Sequence, residues 1–475
     1  MDLLFLSRRI FLGDGSNGNQ LLHGGIIVNT EGTIQRVLRS SHEVNSYLYQ
    51  NESEAVYDFG ELVLMPGLID ANVHINEPGR KDWEGFTAAT KAAAAGGYTT
   101  IIDRPTNATP ATTTVQALKA KTSTARGKIY VDVGFWGGLV PDNGSELNPL
   151  LAAGVMGLQC TLCGSAPPVA EEFGAMTMEQ LTAALREVDE GALLAFHAEL
   201  PVSPAIPPDE SAPKCYESFL RTRPPHMEHA AVEMICDLAL AHPKRHFHIM
   251  NLSSSGNLPL IRSCQREGAQ LTAETCPHYL TLCAEQVEDC RTEFKTWPPI
   301  RERANQASLW QELQRGGALQ IISSDHSPAT PGARCLTYGR ERGNFLKAWP
   351  GISSLQLCLP AIWSREELQL ADVHRLMCWQ PAQLCGLSSF KGRIAEGYDA
   401  DFCIWAPDEQ FTVSPETLYS ANKATPYAAQ RLRGVVHATV VRGLHVYQQY
   451  EGFGQPLGKV LLRKSSKKVV KFVRV

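Results

Sequence analysis

The hydrophobic positions of this chain change their periodicity twice between its two ends. Through about residue 60, and again after Gly392, short apolar runs alternate with glycine-rich turn signals, as at Ile26-Ile27-Val28 and Phe402-Cys403-Ile404-Trp405. Between these two ends, apolar runs of strand length alternate with longer stretches that have helical periodicity. The middle region is therefore typical of parallel βαβ units, whereas the ends indicate short strands joined by turns.

Eight apolar runs in the middle region have the length of buried strands. Helical stretches lie between them, including Thr87–Ala95, Met178–Asp189, Glu228–Ala241 and Gln306–Gln314. The eight predicted strands are Leu68–Val73, Thr99–Asp103, Val131–Phe135, Met156–Thr161, Leu193–His197, His246–Asn251, Gln270–Thr275 and Leu319–Ser324. Eight strands with intervening helices favour a closed (β/α)₈ TIM barrel over an open sheet. We predict an α/β fold with a barrel over residues 62–390 and one small β-sandwich domain built from residues 1–61 and 391–475.

Length and charge exclude several classes of protein. The 475 residues suffice for a large barrel and a smaller domain. A net charge of -5 is small for this length, so we expect no nucleic-acid partner. The one basic stretch, from Lys459 to Arg474, is interpreted as a solvated end. The first residues carry no basic leader and no apolar stretch reaches membrane-spanning length, so we expect neither a signal peptide nor a membrane partner.

The cysteines indicate a reducing environment. All 13 are scattered singly between Cys160 and Cys403, which is not the spacing of a disulfide framework. Cys160 and Cys163 have CxxC spacing without a second pair, so we interpret them as a buried structural pair rather than a redox or metal site. We expect an intracellular protein, cytoplasmic first, with mitochondrial or peroxisomal association left open.

Polar side chains collect at the carboxyl ends of the predicted strands, where a TIM barrel carries its chemistry. They are Asn72, His74, Asp103, Arg104, Gln159, His197, Glu199, Asn251, His278, Asp325 and His326. Imidazole and carboxylate groups are good ligands of zinc-like ions, whereas neutral amides are poor ones. The ring therefore has the composition of a metal site that contains too many amides.

Longer motifs carry a resemblance to a known family. Pro66-Gly67-Leu68-Ile69-Asp70, followed by His74 and Glu77-Pro78-Gly79-Arg80, resembles the opening motif of the cyclic amidohydrolases, which include dihydroorotases, dihydropyrimidinases and allantoinases. Within that group, other segments resemble the allantoinases, in order along the chain from about Leu62 to Trp405. These segments are Asp82-Trp83-Glu84-Gly85, Phe135-Trp136-Gly137-Gly138, Pro277-His278-Tyr279, Ser324-Asp325-His326-Ser327-Pro328, Lys347-Ala348-Trp349 and Gly351-Ile352-Ser353-Ser354-Leu355-Gln356.

The resemblance implies a two-metal hydrolase whose ligand set is incomplete here. Active members hold two divalent ions with a His-x-His pair, a carboxylated lysine, two further histidines and an aspartate, which also moves the proton. His74, His197 and Asp325 match three of these six positions. The other three are occupied by Asn72, Gln159 and Asn251. A glutamine cannot be carboxylated, so we do not expect the dinuclear centre to assemble.

Two further residues are predicted to face a ligand. Arg104 stands where related allantoinases carry an apolar residue, and its cation would repel a divalent ion at ~6 Å by roughly 5 kcal/mol at an effective dielectric constant of ~20. A pairing of Arg104 with Asp325 is one structural role open to both. Asn107 resembles a substrate-contacting asparagine of the family, although a turn before Pro110 explains it equally well. Pro350 replaces a glycine of the family pattern and is expected to reshape its loop.

Two functions from different classes follow. The first is a non-catalytic homologue with a vestigial site, which binds a small hydantoin-like or anionic ligand or acts as a scaffold. It would form a homo-oligomer or a hetero-oligomer with an active paralogue, with no cofactor or a single weakly bound zinc. The alternative is an active hydrolase of allantoin to allantoate, in purine catabolism, with one zinc on His74, His197 and Asp325. The metal content of the protein separates the two hypotheses.

Overall fold

The computed structural model describes residues 2–15, 20–51, 55–164, 169–201, 206–464 and 471–474. Residues 465–470 of the basic stretch lie outside the described residues. The interpretation of that stretch as a solvated end stays a prediction.

Eight parallel strands form a closed barrel. Each strand pairs with the next one along the chain, and a bridge from Val73 to His326 closes the ring. In chain order the strands are Leu68–Val73, Tyr98–Asp103, Asp132–Phe135 with its continuation Gly137–Gly138, Leu158–Thr161, Leu193–His197, His246–Met250, Leu271–Thr275 and Ile321–Ile322. They are almost entirely buried, because helices cover the outer face and side chains fill the inner one. The predicted (β/α)₈ fold is confirmed.

Helices form the outer layer, and all four that the periodicity predicted are present. The helices are Ser41–Gln50, Phe86–Ala95, Val115–Ala125, Gly144–Ala153, Val169–Glu172, Met178–Glu187, Tyr216–Leu220, Pro225–Ala241, Leu258–Arg266, Pro277–Thr281, Arg303–Arg315, Cys358–Trp363, Leu370–His374 and Gln380–Leu384. Short 3₁₀ turns cover Ser255–Asn257, Ala284–Gln286, Thr292–Phe294, Leu355–Leu357 and Pro415–Thr417, and Arg375–Trp379 is a π turn. Within the described ranges, no helix is both long and apolar enough to cross a membrane.

Strands from both ends of the chain join in one nine-stranded sheet. They are Leu3–Ile10, Leu22–Val28, Ile34–Leu38, Ala55–Asp58, Val63–Pro66, Phe402–Thr412, Arg431–Val441, Leu444–Gln448 and Gly452–Phe453. Val63–Pro66 links the two ends, because it pairs with Leu3–Ile10 on one side and with Phe402–Thr412 on the other. A sheet domain built from both ends is thus confirmed, whereas the exact domain boundaries stay a prediction. Leu461–Lys464 and Lys471–Arg474 pair with each other as antiparallel strands, apart from this sheet.

A buried ion cluster joins the barrel to the C-terminal part of the sheet domain. The ammonium group of Lys391 lies 2.9 Å from Asp132, 3.1 Å from Asp399 and 2.5 Å from Asp401. Arg442 also donates to both oxygens of Asp132. Burial opposes ionisation, but Lys391 and Arg442 hold the pKa of Asp132 well below its usual range. Through Asp132, the cluster therefore holds the third barrel strand against the C-terminal part of the sheet domain.

Candidate functional site

A pocket opens at the carboxyl ends of the barrel strands and encloses about 630 Å³ of space, its solvent-open mouth included. Four of the six family ligand positions line it, together with both predicted ligand-binding residues. The lining residues are His74, Arg104, Thr106, Asn107, Gln159, Thr161, Cys163, His197, Arg223, Thr296, Trp297, Asp325, Ser327, Trp349, Pro350 and Gly351. These six predicted residues therefore share one pocket at the strand ends.

Arg104 follows the second barrel strand, and its side chain turns into the centre of this pocket. Its Nε donates to Oε1 of Gln159 at 3.1 Å. Its Nη1 donates to Oδ1 of Asn72 at 3.3 Å and to Oδ1 of Asp325 at 3.0 Å. The arginine is only 4% exposed, so this ion pair and these hydrogen bonds are shielded from water. One cation thus contacts three of the six family ligand positions.

Asn72 and Asn251 do not line the pocket but lie behind it. Asn72 donates from Nδ2 to Oε1 of Glu274 at 2.6 Å, and Asn251 donates from Nδ2 to Oδ2 of Asp325 at 3.0 Å. Asn251 also donates to the carbonyl oxygen of Trp297. Both amides are therefore engaged in the wall that supports Arg104 and Asp325.

His74 is a neutral member of the site. Its Nδ1 accepts a hydrogen bond from Nδ2 of Asn107 at 3.1 Å, and its Nε2 lies 3.6 Å from Oδ1 of Asp325. Burial, and then the charge of Arg104, lower the pKa of His74 to about 4. Burial opposes ionisation of Asp325, but His74 and Arg104 keep its pKa well below the usual range. The carboxylate is therefore charged at neutral pH while the imidazole is not.

His197 is held by a second ion pair on the other side of the pocket. Its Nε2 lies 2.8 Å from Oε2 of Glu199, which is fully buried. Arg223 donates to both oxygens of Glu199 and stacks on the indole of Trp297 at 4.2 Å. Burial raises the pKa of Glu199, but Arg223 and His197 outweigh it and lower the value to about 2. His197 thus faces a permanent carboxylate of the protein itself.

Some buried polar atoms near the pocket have no hydrogen-bond partner among the described residues. They include Nε2 of Gln159, Oδ1 of Asn251 and both ring nitrogens of His278. Burial lowers the pKa of His278 to about 4, which keeps its ring neutral. An unpartnered buried donor is costly, so a ligand that supplies an acceptor to Gln159 would be favoured.

The side chains present do not fit the dinuclear centre that the resemblance implies. Within the described part of the chain, the one group of three ligand-type side chains with donor atoms within 4.8 Å of one another is Asp132, Asp399 and Asp401, which surrounds Lys391 instead. His74 and Asp325 approach each other, but Nε2 of His197 is engaged with Glu199. Neutral amides and a guanidinium fill the remaining positions.

The sequence did not single out three residues that shape the site. Glu274 had a visible signal, because it is a charged residue within the otherwise uncharged strand Leu271–Thr275. Arg223 and Trp297 had none, because each lies in a connecting segment away from the predicted strand ends. Pro350 lines the pocket, and the expectation that it reshapes its loop stays a prediction.

Two family models match the chain in succession. Residues 61–257 match a family described as dihydro-orotase-like, and residues 297–447 match the amidohydrolase family. Together they cover seven of the eight barrel strands and most of the C-terminal strands of the sheet domain, while residues 258–296, with the strand Leu271–Thr275, lie between the two matches.

Allantoinases from other organisms align with most of this chain. The chain is 46% identical over 414 residues to an allantoinase of Streptomyces avermitilis, covering 86% of this chain and 89% of that protein. It is 39% identical over 448 residues to an allantoinase of Saccharomyces cerevisiae, covering 92% and 95%. Among solved structures, the L-hydantoinase (dihydropyrimidinase) of Arthrobacter aurescens superimposes with a TM-score of 0.85 at 25% identity, covering 97% of this chain and all of that one.

Proposed function

The chain belongs to the allantoinase family of the amidohydrolases, and from this premise we propose that its pocket binds a small ligand without a dinuclear metal centre and without hydrolysing it. In this proposal His74, His197 and Asp325 are retained from an ancestral ligand set. Their present role is to hold a polar, preorganised binding site at the barrel mouth.

The contacts of Arg104 carry this proposal. Its guanidinium donates to Asn72, Gln159 and Asp325, and all four side chains are at least nine-tenths buried. A permanent cation at this position supplies positive charge to Asp325, a charge that the family draws from metal ions. A divalent ion close to it would meet strong repulsion in a poorly hydrated site.

The remaining residues perform binding functions that need no metal. Asn107 fixes the neutral tautomer of His74 by donating to its Nδ1. The pair Arg223 and Glu199 holds His197, while the indole of Trp297 supplies a flat apolar wall. Such a site orients a planar polar molecule between a ring of donors and an aromatic face.

Sequence similarity favours a second candidate, the active hydrolase. The relatives at 46% and 39% identity are both called allantoinases. This similarity supports hydrolysis of allantoin more directly than it supports a loss of activity. In that case one zinc ion would use His74, His197 and Asp325. This arrangement requires the three side chains to approach one another, because their donor atoms do not all lie within 4.8 Å of one another. His197 can keep the 2.8 Å contact of its Nε2 with Glu199 if Nδ1 binds the ion.

Metal content and turnover, measured together, test the proposal. The purified chain, prepared without chelator and with zinc in the growth medium, is expected to hold well under one transition-metal ion per chain by mass spectrometry. It is also expected to hydrolyse allantoin no faster than a blank with the same metal content. One zinc per chain with turnover that Asp325→Asn abolishes would establish the hydrolase instead.

The expectations about assembly and compartment stay proposals. A binding protein of this kind would act as a homo-oligomer or together with an active paralogue, in a reducing compartment. Light scattering of the purified chain, alone and mixed with an active allantoinase from the same cells, tests the assembly.

A further inference from the structure

The pocket wall offers hydrogen-bond donors that no protein group uses. Nε2 of Gln159 is buried and has no partner among the residues that the structure describes. Arg104 uses Nε and Nη1, and Arg223 uses Nε and Nη2, in contacts with other side chains. Within the described ranges, this leaves Nη2 of Arg104 and Nη1 of Arg223 without an acceptor. All three side chains line the same pocket.

The carboxylates at the pocket, by contrast, already accept hydrogen bonds on both oxygens. Asp325 accepts from Arg104 on one oxygen and from Asn251 on the other. Both oxygens of Glu199 accept from Arg223. Oε1 of Gln159 accepts from Arg104. A ligand with many hydrogen-bond acceptors can therefore pair with the free donors of this wall. A ligand that also carries N–H groups needs protein acceptors for them as well.

The charged groups that contact the pocket are paired with one another, so no free carboxylate of the described residues opposes a bound anion at this wall. Arg104 is paired with Asp325, and Arg223 with Glu199, so these four charges cancel. Lys295 lies behind Trp297, is 3% exposed, and donates only to the carbonyl oxygen of Ala348 at 2.6 Å. No carboxylate of the described residues lies within ion-pair distance of its ammonium group.

The carboxylate of Glu274 opposes Lys295 in this balance. Glu274 lies deeper in the barrel, where His248 and Asn72 contact its oxygens. Burial lowers the pKa of Lys295 to about 7, and the nearby charge of Arg223 adds to this effect.

We propose that the pocket selects a small carboxylate over the neutral cyclic amide of the same skeleton, with Gln159, Arg104 and Arg223 donating to the carboxylate. The selectivity rests on the proposed function, because it requires the guanidinium of Arg104 to remain at the centre of the site. It reverses the preference expected of a hydrolase that binds a neutral ring.

Three related compounds test this selectivity by isothermal titration calorimetry at pH 7. N-carbamoylglycine is the monoanion, hydantoin is the neutral ring that differs from it by one water molecule, and N-carbamoylglycinamide keeps the open shape without the charge. The carboxylate is expected to bind at least about tenfold tighter than either neutral compound, the effect of one charge-assisted hydrogen bond. Equal or tighter binding of hydantoin, or no measurable binding of the carboxylate, would overturn the inference.

Substitutions at Gln159 locate the binding site. Gln159→Glu replaces the unused donor with a carboxylate of the same shape and is expected to weaken N-carbamoylglycine binding at least about tenfold. Gln159→Met removes the donor without adding charge and should weaken it less. Gln50→Glu adds the same charge at an exposed position and should leave binding unchanged. Unchanged binding in both Gln159 variants, with native thermal unfolding, would place the carboxylate elsewhere.

The outcome is separable from that of the proposed function. Zinc content and allantoin turnover decide whether the chain is a metal hydrolase, and neither enters the calorimetry. A metal-free, inactive chain that prefers hydantoin would refute the carboxylate selectivity alone. A chain with stoichiometric zinc and turnover would refute the proposed function and the selectivity together.

Discussion

Nη1 of Arg104 lies 3.0 Å from Oδ1 of Asp325, and both side chains are shielded from solvent at the barrel mouth. The two residues are separated by 221 positions in the chain and meet because their strands end at the same rim of the barrel. The pair gives the retained family aspartate a permanent partner within the protein. Loss of this ion pair is therefore expected to lower the stability of the folded protein, whatever its effect on activity.

Removal of the guanidinium should leave an uncompensated buried charge. Arg104→Met is expected to lower the free energy of unfolding by about 3–5 kcal/mol, and adding Asp325→Asn should restore part of it. Urea denaturation of the two variants measures this coupling. Arg8→Met is the matched control, since Arg8 and Glu61 are 3.6 Å apart and 50% and 74% exposed, and it should change stability by less than about 0.5 kcal/mol. Equal losses at positions 8 and 104 would contradict the role of this pair.

Metal binding should return only when the cation is removed together with the amides. Asn72→His, Gln159→Lys and Asn251→His restore the family ligand types, but Arg104 would remain among them. We expect this triple variant to stay below one metal ion per chain. The quadruple variant with Arg104→Met should hold at least one, when both are expressed with zinc and bicarbonate. Elemental analysis after dialysis decides, and identical metal content in the two variants would show that Arg104 does not exclude the ion.

Lys295 predicts a dependence of stability on pH. Its pKa falls from 10.5 to about 7 on folding, so between these values the unfolded chain binds a proton that the folded chain lacks. Its contribution to stability is therefore present above pH 10.5 and is lost as the pH falls to about 7. Lys295→Met removes this loss and should stabilise the protein at pH 7 by on the order of 1–3 kcal/mol. The gain should shrink towards pH 10.

Thermal unfolding of wild type and variant at several pH values measures this difference. Lys244→Met is the control, because Lys244 is 79% exposed and should show no such trend. A gain from Lys295→Met that stays constant from pH 7 to pH 10 would mean that the lysine is charged in the folded protein throughout.

Gly351 should resist substitution because its backbone approaches Ser327 closely. A Cβ atom there would lie 2.1 Å from the carbonyl oxygen of Ser327, and its φ of +131° is a conformation that other residues rarely adopt. Gly351→Ala is expected to cost about 2 kcal/mol or more in the free energy of unfolding. Gly332→Ala, with no atom within 4 Å of its Cβ, should be nearly neutral in the same urea titration. Similar midpoints for the two variants would show that the loop adjusts freely.

The sequence by itself determined the fold and the rim of the site. Hydrophobic periodicity is a local property, so the eight strands and the helices between them were visible along the chain. Parallel strands of a barrel all end at one rim, so residues such as His74, Gln159 and Asp325 were expected to lie at that rim once the strands were assigned. The resemblance implies that Gln159 stands at the position of the family's carboxylated lysine, and glutamine cannot be carboxylated; both statements need no coordinates.

Only the tertiary structure decided which way those side chains point and which partners they contact. The direction of Arg104 depends on Asn72, Gln159 and Asp325, which approach it from three other strands. From the sequence, a pairing of Arg104 with Asp325 was one of several possible roles. The local sequence pattern did not distinguish this pairing from the other roles. Arg223 and Glu274 entered the site through contacts between distant segments, which periodicity does not encode. Side-chain direction in a barrel mouth is set by the neighbours that satisfy each buried charge, and those neighbours are brought together only by the closed ring.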